Sequence, residues 1–171
     1  SILSTYGEHS LNASEWKNLI LKYQRDAISS DAGIPYIYGN DAVHGVNTCK
    51  GTVIFPHNIG IGAANDKELT YQMGLAVANE AKLTVMRWSF SPCLAAAQDP
   101  RGGRTYESCS SETDIITKLG TSFSKGLING GILPCAKHFF ADGNVLYGTG
   151  ETLDGEKRLI DRGNAQLSDV E

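Results

Sequence analysis

The sequence lacks the patterns that mark membrane-spanning and nucleic-acid-binding proteins. It contains no run of about 18 or more apolar residues, so it predicts no transmembrane helix. Its 15 Lys and Arg residues are outnumbered by 19 Asp and Glu residues. The resulting net charge of −4 argues against the basic surface that binds DNA or RNA. We therefore expect neither a nucleic acid nor a membrane as a partner.

The common cofactor and metal motifs are also missing. No GxGxxG or GxxxxGK[ST] loop is present, which argues against a nucleotide cofactor. The sequence also lacks the nucleophile-elbow motif that is typical of serine hydrolases. The four cysteines form no CxxC pair and no Cys/His spacing typical of a metal site. We expect no cofactor and no bound metal. Disulfide formation remains an open alternative, although the sequence favours free thiols. Cys93 and Cys135 are predicted to be small buried apolar side chains.

What is present fits one folded domain in which strands and helices alternate. The 171 residues are 41% hydrophobic and 20% charged, which is typical of a chain with a core of its own. Short apolar runs predict strands at 34–38, 87–93 and 132–136, and the glycine-punctuated segment 142–171 predicts a loop. Alternation of this kind favours βαβ units with a parallel sheet. The sheet could be open and doubly wound or part of a (β/α)8 barrel.

Three helices are predicted from apolar residues at helical spacing. The first begins near Ser14 as N-cap, the second after Asn65 or Asp66, and the third at the box formed by Ser111 and Asp114. Their buried stripes are Trp16, Leu19, Ile20, Tyr23 and Ala27; Leu69, Met73, Ala76, Val77 and Leu83; and Ile116, Leu119, Phe123 and Leu127.

Charged residues follow each of the three predicted strands. Asp41 follows the first, Arg104 the second, and Lys137 and His138 the third. Because the carboxyl ends of parallel strands meet at one edge, we expect these side chains to converge on one pocket. Acceptor carboxylates beside donor Arg and Lys suit a neutral polyhydroxylated ligand. Simpler interpretations remain open: Asp41 as a turn residue, Arg104 paired with Glu107, and His138 as a core residue.

Four segments carry a resemblance to a known family. They are 34–45 (IPYIYGNDAVHG), 52–62 (TVIFPHNIGIG), 91–112 (SPCLAAAQDPRGGRTYESCSSE) and 135–143 (CAKHFFADG). Together they resemble the N-terminal barrel of glycoside hydrolase family 3, in particular its β-glucosidases and exo-β-glucan hydrolases. The resemblance implies α/β architecture with parallel βα units forming about half of a TIM-like (β/α)8 barrel. It also implies a retaining β-glucosidase acting on non-reducing terminal β-D-glucosyl residues.

The resemblance assigns roles to the four strand-end residues. Asp41, Arg104, Lys137 and His138 match positions at which the family contacts glucose in the −1 subsite, so a β-glucoside or glucose is the expected ligand. The segment after His138 lacks the Pro-Gly-His of the β-N-acetylglucosaminidase branch, which argues against that branch. The family is often extracytoplasmic, and the sequence assigns no location.

Two departures from the family pattern shape the prediction. Gly103 stands where the family usually has Trp, and 168–170 (Ser-Asp-Val) is only superficially like the Ser-Asp-Trp context of the family's nucleophile. The general acid/base usually comes from a second domain. We therefore expect residues 1–171 to be a partial domain with no catalytic residue of its own, the nucleophile and the acid/base lying beyond Glu171 and in a C-terminal domain.

The sequence predicts glucose binding without turnover by the isolated chain. The partners would then be the remainder of the barrel and the C-terminal domain, or a second copy of the chain. One alternative is a catalytically inactive carbohydrate-binding or assembly module that pairs with another half-barrel. A further alternative is a different α/β enzyme whose strand ends match by accident.

Overall fold

A computed structural model describes residues 2–3, 11–165 and 167, and the predicted nucleophile-like segment 168–170 lies outside them. The elements in chain order are β1 (Ile2–Leu3), β2 (Leu11–Asn12), α1 (Ala13–Ile28), β3 (Tyr38–Asn40), β4 (Cys49–Lys50), α2 (Asn58–Ala64), α3 (Lys67–Leu83), β5 (Trp88–Ser89), a 3₁₀ turn (Thr105–Glu107), α4 (Thr113–Asn129), β6 (Thr152–Leu153) and β7 (Glu156–Lys157).

The central sheet is parallel, with strand order β1-β3-β5. This confirms the prediction of α/β architecture with parallel strands. The predicted strand at 132–136 is represented by one isolated parallel bridge, Trp88 with Leu133, and a second bridge, Cys93 with Lys137, lies one residue beyond it. The predicted strand at 34–38 is wrong in its bounds, because Ile34 and Ile37 are 69% and 47% exposed and pairing starts only at Tyr38.

Capping side chains mark where α1 and α3 begin. The Asn12 side chain accepts hydrogen bonds from the backbone N–H groups of Ser14 and Glu15, and the Glu15 carboxylate accepts one from Asn12 N–H at 2.8 Å. This capping box places the N-cap of α1 at Asn12, two residues before the predicted cap at Ser14. Asp66 caps α3 through two backbone N–H groups, as predicted.

The third predicted helix, α4, buries the predicted apolar residues but begins differently from the prediction. Helix α4 follows Glu112 with no side-chain cap, so the predicted box at Ser111 and Asp114 is wrong. The Ser110 hydroxyl instead accepts a hydrogen bond from Glu112 N–H at 3.0 Å. All four predicted stripe residues are buried, and Gly130 ends the helix. An apolar stripe fixes the helix face more firmly than its terminus.

Helices α3 and α4 pack closely because glycines face each other across the contact. A methyl group on Gly74 would meet the backbone oxygen of Phe123, and one on Gly126 would meet the backbone of Tyr71. The predicted stripe of α3 is wrong at its ends, since Leu69 and Leu83 are exposed. The buried face of α3 consists of Thr70, Met73, Gly74, Val77, Ala78 and Ala81.

Helix α2, the 3₁₀ turn and the strands β6 and β7 lie in segments predicted as loops. Helix α2 packs beside the 3₁₀ turn, and the side-chain amide of Asn58 donates to the backbone oxygen of Glu107 at 2.7 Å. Strands β6 and β7 form an antiparallel hairpin. Beyond that hairpin, the Asp161 carboxylate accepts a hydrogen bond from Gly103 N–H at 2.9 Å. Both contacts hold the loop that carries Arg104.

All four cysteines are free thiols, as the sequence favoured. Cys93 is buried as predicted, whereas Cys135 is only half-buried. Within the described ranges, no helix is long and apolar enough to cross a membrane.

Candidate functional site

The site begins where β3 ends. Asn40 is buried, its side-chain amide donates to the Thr48 hydroxyl at 2.8 Å, and its side-chain oxygen accepts from Asp41 N–H at 2.9 Å. These bonds fix the turn that carries Asp41, whose side chain stays 55% exposed. The Lys137 ammonium donates to Asp41 Oδ1 at 2.6 Å. Two side chains 96 residues apart therefore meet across β5, which pairs with β3 on one side and with Leu133 on the other.

Arg104 lies next to this pair and is braced by Glu107. Its Nε and Nη2 atoms donate to the two carboxylate oxygens of Glu107, each at 2.7 Å. Burial alone would raise the pKa of Glu107, but hydrogen bonds and charge from Arg104 outweigh it and lower the pKa. The same hydrogen bonds raise the pKa of Arg104. The ion pair weighed as an alternative role for Arg104 is thus present.

Asp41, Arg104 and Lys137 line one cavity of about 220 Å³. Its other lining residues are Val43, His44, Asn47, His57, Tyr106 and Glu107. The cavity wall therefore combines two carboxylates, an ammonium and a guanidinium with imidazole, amide and phenol groups. Such a wall offers both acceptors and donors to hydroxyl groups.

Three aromatic rings form the far wall of the cavity. The ring centroids of His44 and His57 are 4.2 Å apart, and those of His57 and Tyr106 are 4.7 Å apart. Burial, followed by the charge of His57, lowers the pKa of His44. The rings of the two histidines pack on each other. The sequence analysis did not identify His44, His57, Asn47 and Tyr106 as residues that line the cavity.

His138 is not brought to this cavity. Its Nδ1 atom lies 2.7 Å from Asp142 Oδ2, and the residue lines a neighbouring cavity of about 470 Å³. Arg104 borders both cavities. Cys93 lies beside the pair, and one ligand-type atom each of Cys93, His138 and Asp142 lies within 4.8 Å of the other two. These three side chains are where the described part of the chain brings metal-ligating groups together.

A parallel sheet with charged side chains at the carboxyl ends of its strands is the arrangement of a ligand-binding α/β domain. The family is shown by comparison: residues 2–170 match the model of the glycosyl hydrolase family 3 N-terminal domain. The chain belongs to glycoside hydrolase family 3, which confirms the resemblance read from its motifs.

Known relatives agree with this assignment. A lysosomal β-glucosidase of Dictyostelium discoideum is 28% identical over 156 residues, which cover 84% of this chain and 19% of the relative. A probable β-glucosidase F of Emericella nidulans is 31% identical over 67% of this chain and 13% of the relative. The chain therefore spans at most about a fifth of these curated relatives.

Solved structures give the same result. The exo-1,3/1,4-β-glucanase of a Pseudoalteromonas species matches with a TM-score of 0.79 and 33% identity, over 86% of this chain and 20% of the other. A point mutant of the same enzyme matches with a TM-score of 0.83 and 30% identity, over 98% of this chain and 27% of the other. The fold is that of the N-terminal domain of family 3 enzymes.

Proposed function

We propose that this chain is the glucosyl-binding part of a retaining β-glucosidase that hydrolyses non-reducing terminal β-D-glucosyl residues. The observation that supports the proposal best is the meeting of Asp41 with Lys137 beside the Arg104–Glu107 pair around one cavity. The β-glucosidase and exo-β-glucanase names of the relatives point to the same substrate class.

The cavity chemistry suits a sugar ring. The exposed Asp41 carboxylate has acceptor positions beyond the one used by Lys137, and a carboxylate accepts hydrogen bonds from two neighbouring hydroxyls. Lys137 and Arg104 supply donors to ring and hydroxyl oxygens. In our proposal these three side chains hold the glucosyl ring in the −1 subsite. We also propose that His138, which lines the neighbouring cavity that Arg104 borders, contacts the same ring.

The two carboxylates in this cavity, Asp41 and Glu107, are not the nucleophile and the general acid of the reaction. A retaining glycosidase needs a carboxylate nucleophile and a protonated carboxyl group about 5–5.5 Å apart. Glu107 has a lowered pKa and is tied to Arg104, so it stays ionised and cannot act as the acid. Asp41 is engaged by Lys137. We infer that the nucleophile and the acid/base come from the rest of the enzyme and that this chain alone does not hydrolyse glucosides.

We further propose that residues 1–171 form about half of a (β/α)8 barrel. A groove of about 1070 Å³ runs between α4 and residues 136–144. Phe139 and Phe140, 90% and 60% exposed, line it together with Ile128. Large exposed apolar side chains in one groove are typical of a covered surface. The rest of the barrel is the proposed cover, and a second half-barrel is the alternative that would make the chain an assembly module.

The proposal is tested by calorimetric titration of the 171-residue chain with glucose, together with an aryl β-glucoside assay. We expect weak glucose binding, no measurable hydrolysis, and loss of binding in Asp41→Asn. Asp26→Asn, an exposed carboxylate change on α1, is the matched control and should bind glucose normally. Binding that survives Asp41→Asn would contradict the site assignment, and hydrolysis by a contaminant-free preparation would contradict the missing catalytic groups.

Light scattering separates the two architectures. A monomer that binds glucose fits part of one barrel. A stable dimer that dissociates when Phe139 is changed to Ser fits the assembly module.

A further inference from the structure

Cys93, His138 and Asp142 form a compact cluster outside the Asp41 cavity. One sulfur, nitrogen or oxygen ligand atom of each side chain lies within 4.8 Å of those of the other two. Cys93 is 3% exposed, whereas the side chains of His138 and Asp142 are 38% and 36% exposed. The cluster is therefore closed on its sulfur side and open on its imidazole and carboxylate side.

The backbone holds the two halves of this cluster together. Cys93 pairs with Lys137 in an isolated parallel bridge, and His138 begins the turn directly after it. Ala96 N–H donates to the backbone oxygen of Asp142 at 3.0 Å, so the far end of the 138–142 turn is also tied to the Cys93 segment. Two chain segments that are distant in sequence thus present their ligand atoms to one point.

We propose that Cys93, His138 and Asp142 form a binding site for Zn²⁺. Thiolate, imidazole and carboxylate are all ligands that zinc takes, and three protein ligands leave one position for water. Magnesium and calcium prefer sites made only of oxygen. With Cys93 deprotonated, His138 neutral and Asp142 ionised, the set carries two negative charges, which balance the charge of the ion.

The three ligand atoms need to move only a little to coordinate one zinc ion. Around a tetrahedral zinc ion with ordinary bond lengths, S, N and O ligands lie roughly 3.4–3.6 Å from one another. The present separations of up to 4.8 Å close by about 1 Å. The direct contact of His138 with Asp142 at 2.7 Å opens slightly, so that two bonds to the metal replace one hydrogen bond.

Access and the fourth ligand come from the neighbouring cavity. His138 and Asp142 both line the cavity of about 470 Å³, which leaves room for a water molecule on the metal. Arg104 also borders this cavity, and its charge is balanced by Glu107. Each zinc ion that binds breaks the S–H bond of Cys93, forms a Zn–S bond and releases one proton to the buffer.

Cobalt and zinc titrations of the 171-residue chain test the site. We expect Co²⁺ to bind with 1:1 stoichiometry and to produce a thiolate-to-cobalt charge-transfer band, which zinc abolishes by displacing cobalt. Calorimetry of zinc binding in buffers of different ionisation enthalpy should report release of about one proton per ion. Absence of the charge-transfer band in the unmodified chain would overturn the proposal.

Variants identify the ligands. Cys93→Ser should remove the charge-transfer band, and Asp142→Asn, a change at a half-exposed residue, should weaken zinc affinity by about tenfold or more. Cys109→Ser is the matched control, because Cys109 lines the same small apolar pocket as Cys93 but lies outside the cluster. A band that persists in Cys93→Ser, or an affinity unchanged in the well-folded Asp142→Asn chain, would refute the assignment.

Discussion

Replacing Glu107 by Gln tests the ion pair that braces the proposed sugar-binding arginine. Glu107 is 8% exposed and accepts two hydrogen bonds from Arg104. Hydrogen bonds to charged groups contribute about 1.5–3 kcal/mol each, but the Arg104 side chain is 44% exposed, so solvent screening reduces their effect. Because glutamine keeps one acceptor, we expect the free energy of unfolding to fall by about 1–2 kcal/mol.

That loss corresponds to a melting temperature about 2–8 °C lower for a domain of this size. The pKa of Glu107 is lowered in the folded chain from its ordinary value of about 4.5. The stabilisation is therefore complete above that value and decreases as the pH falls towards the folded pKa. The difference in melting temperature between the wild-type chain and Glu107→Gln should be largest near pH 7 and smaller below pH ~4.5.

The assay is urea and thermal denaturation at pH 4 to 7, with Glu156→Gln, an exposed change in β7, as the matched control. A double-mutant cycle with Arg104→Met isolates the interaction energy between Arg104 and Glu107. We expect this energy to account for most of the unfolding free energy lost in Glu107→Gln. Equal stability of Glu107→Gln and the wild-type chain at pH 7 would refute the reasoning. So would a stability difference that does not change with pH.

Three further predictions concern packing and the metal site. Gly126→Ala should destabilise the chain by about 1–3 kcal/mol, because its methyl group meets the backbone of Tyr71, while the exposed change Thr121→Ala on the same helix should not. Leu127→Ala, at a fully buried position of α4, should cost about 2–5 kcal/mol by leaving a cavity; urea denaturation measures both losses. Zinc should lower the affinity for glucose measured by calorimetry, because we propose that both zinc and glucose contact His138 and they would therefore compete.

Each of these has a contradicting result. If Gly126→Ala were as stable as the wild-type chain, α3 and α4 would accommodate the added methyl group without loss of unfolding free energy. A loss below about 1 kcal/mol for Leu127→Ala would mean that the site collapses around the smaller side chain. Glucose affinity that is equal with and without saturating zinc would mean that His138 does not contact both ligands.

The helices were predictable from sequence because their signals are local. The stripe of α4 depends only on residues three and four apart, and all its members are buried. The start of α1 also carries a local signal, because Asn12 and Glu15 have the spacing of a capping box. The prediction of Ser14 as N-cap, next to the apolar stripe, is two residues late. Helix α2 gave little signal, because Asn58–Ala64 is short and contains two glycines.

The strands and part of the site depended on contacts that one sequence does not contain. Whether Ile34 or Tyr38 begins a strand is decided by the pairing partner, here β1. The meeting of Asp41 with Lys137 followed from the rule that parallel strand ends converge. His138 lies on the neighbouring cavity, because the bridged segment ends at Lys137 and His138 begins the turn that follows. The nearness of Cys93 to Asp142 had no local signal.

The hydrogen bond from Gly103 N–H to Asp161 links two loops that are 58 residues apart. A Cβ atom at 103 would lie 3.0 Å from Oδ2 of Asp161, so a side chain there fits only if the Asp161 carboxylate shifts. A larger side chain at 103 would therefore disturb the hydrogen bond that ties the loop carrying Arg104 to the segment after β7. The size of residue 103 thus controls how firmly the proposed sugar-binding arginine is held from outside its own loop.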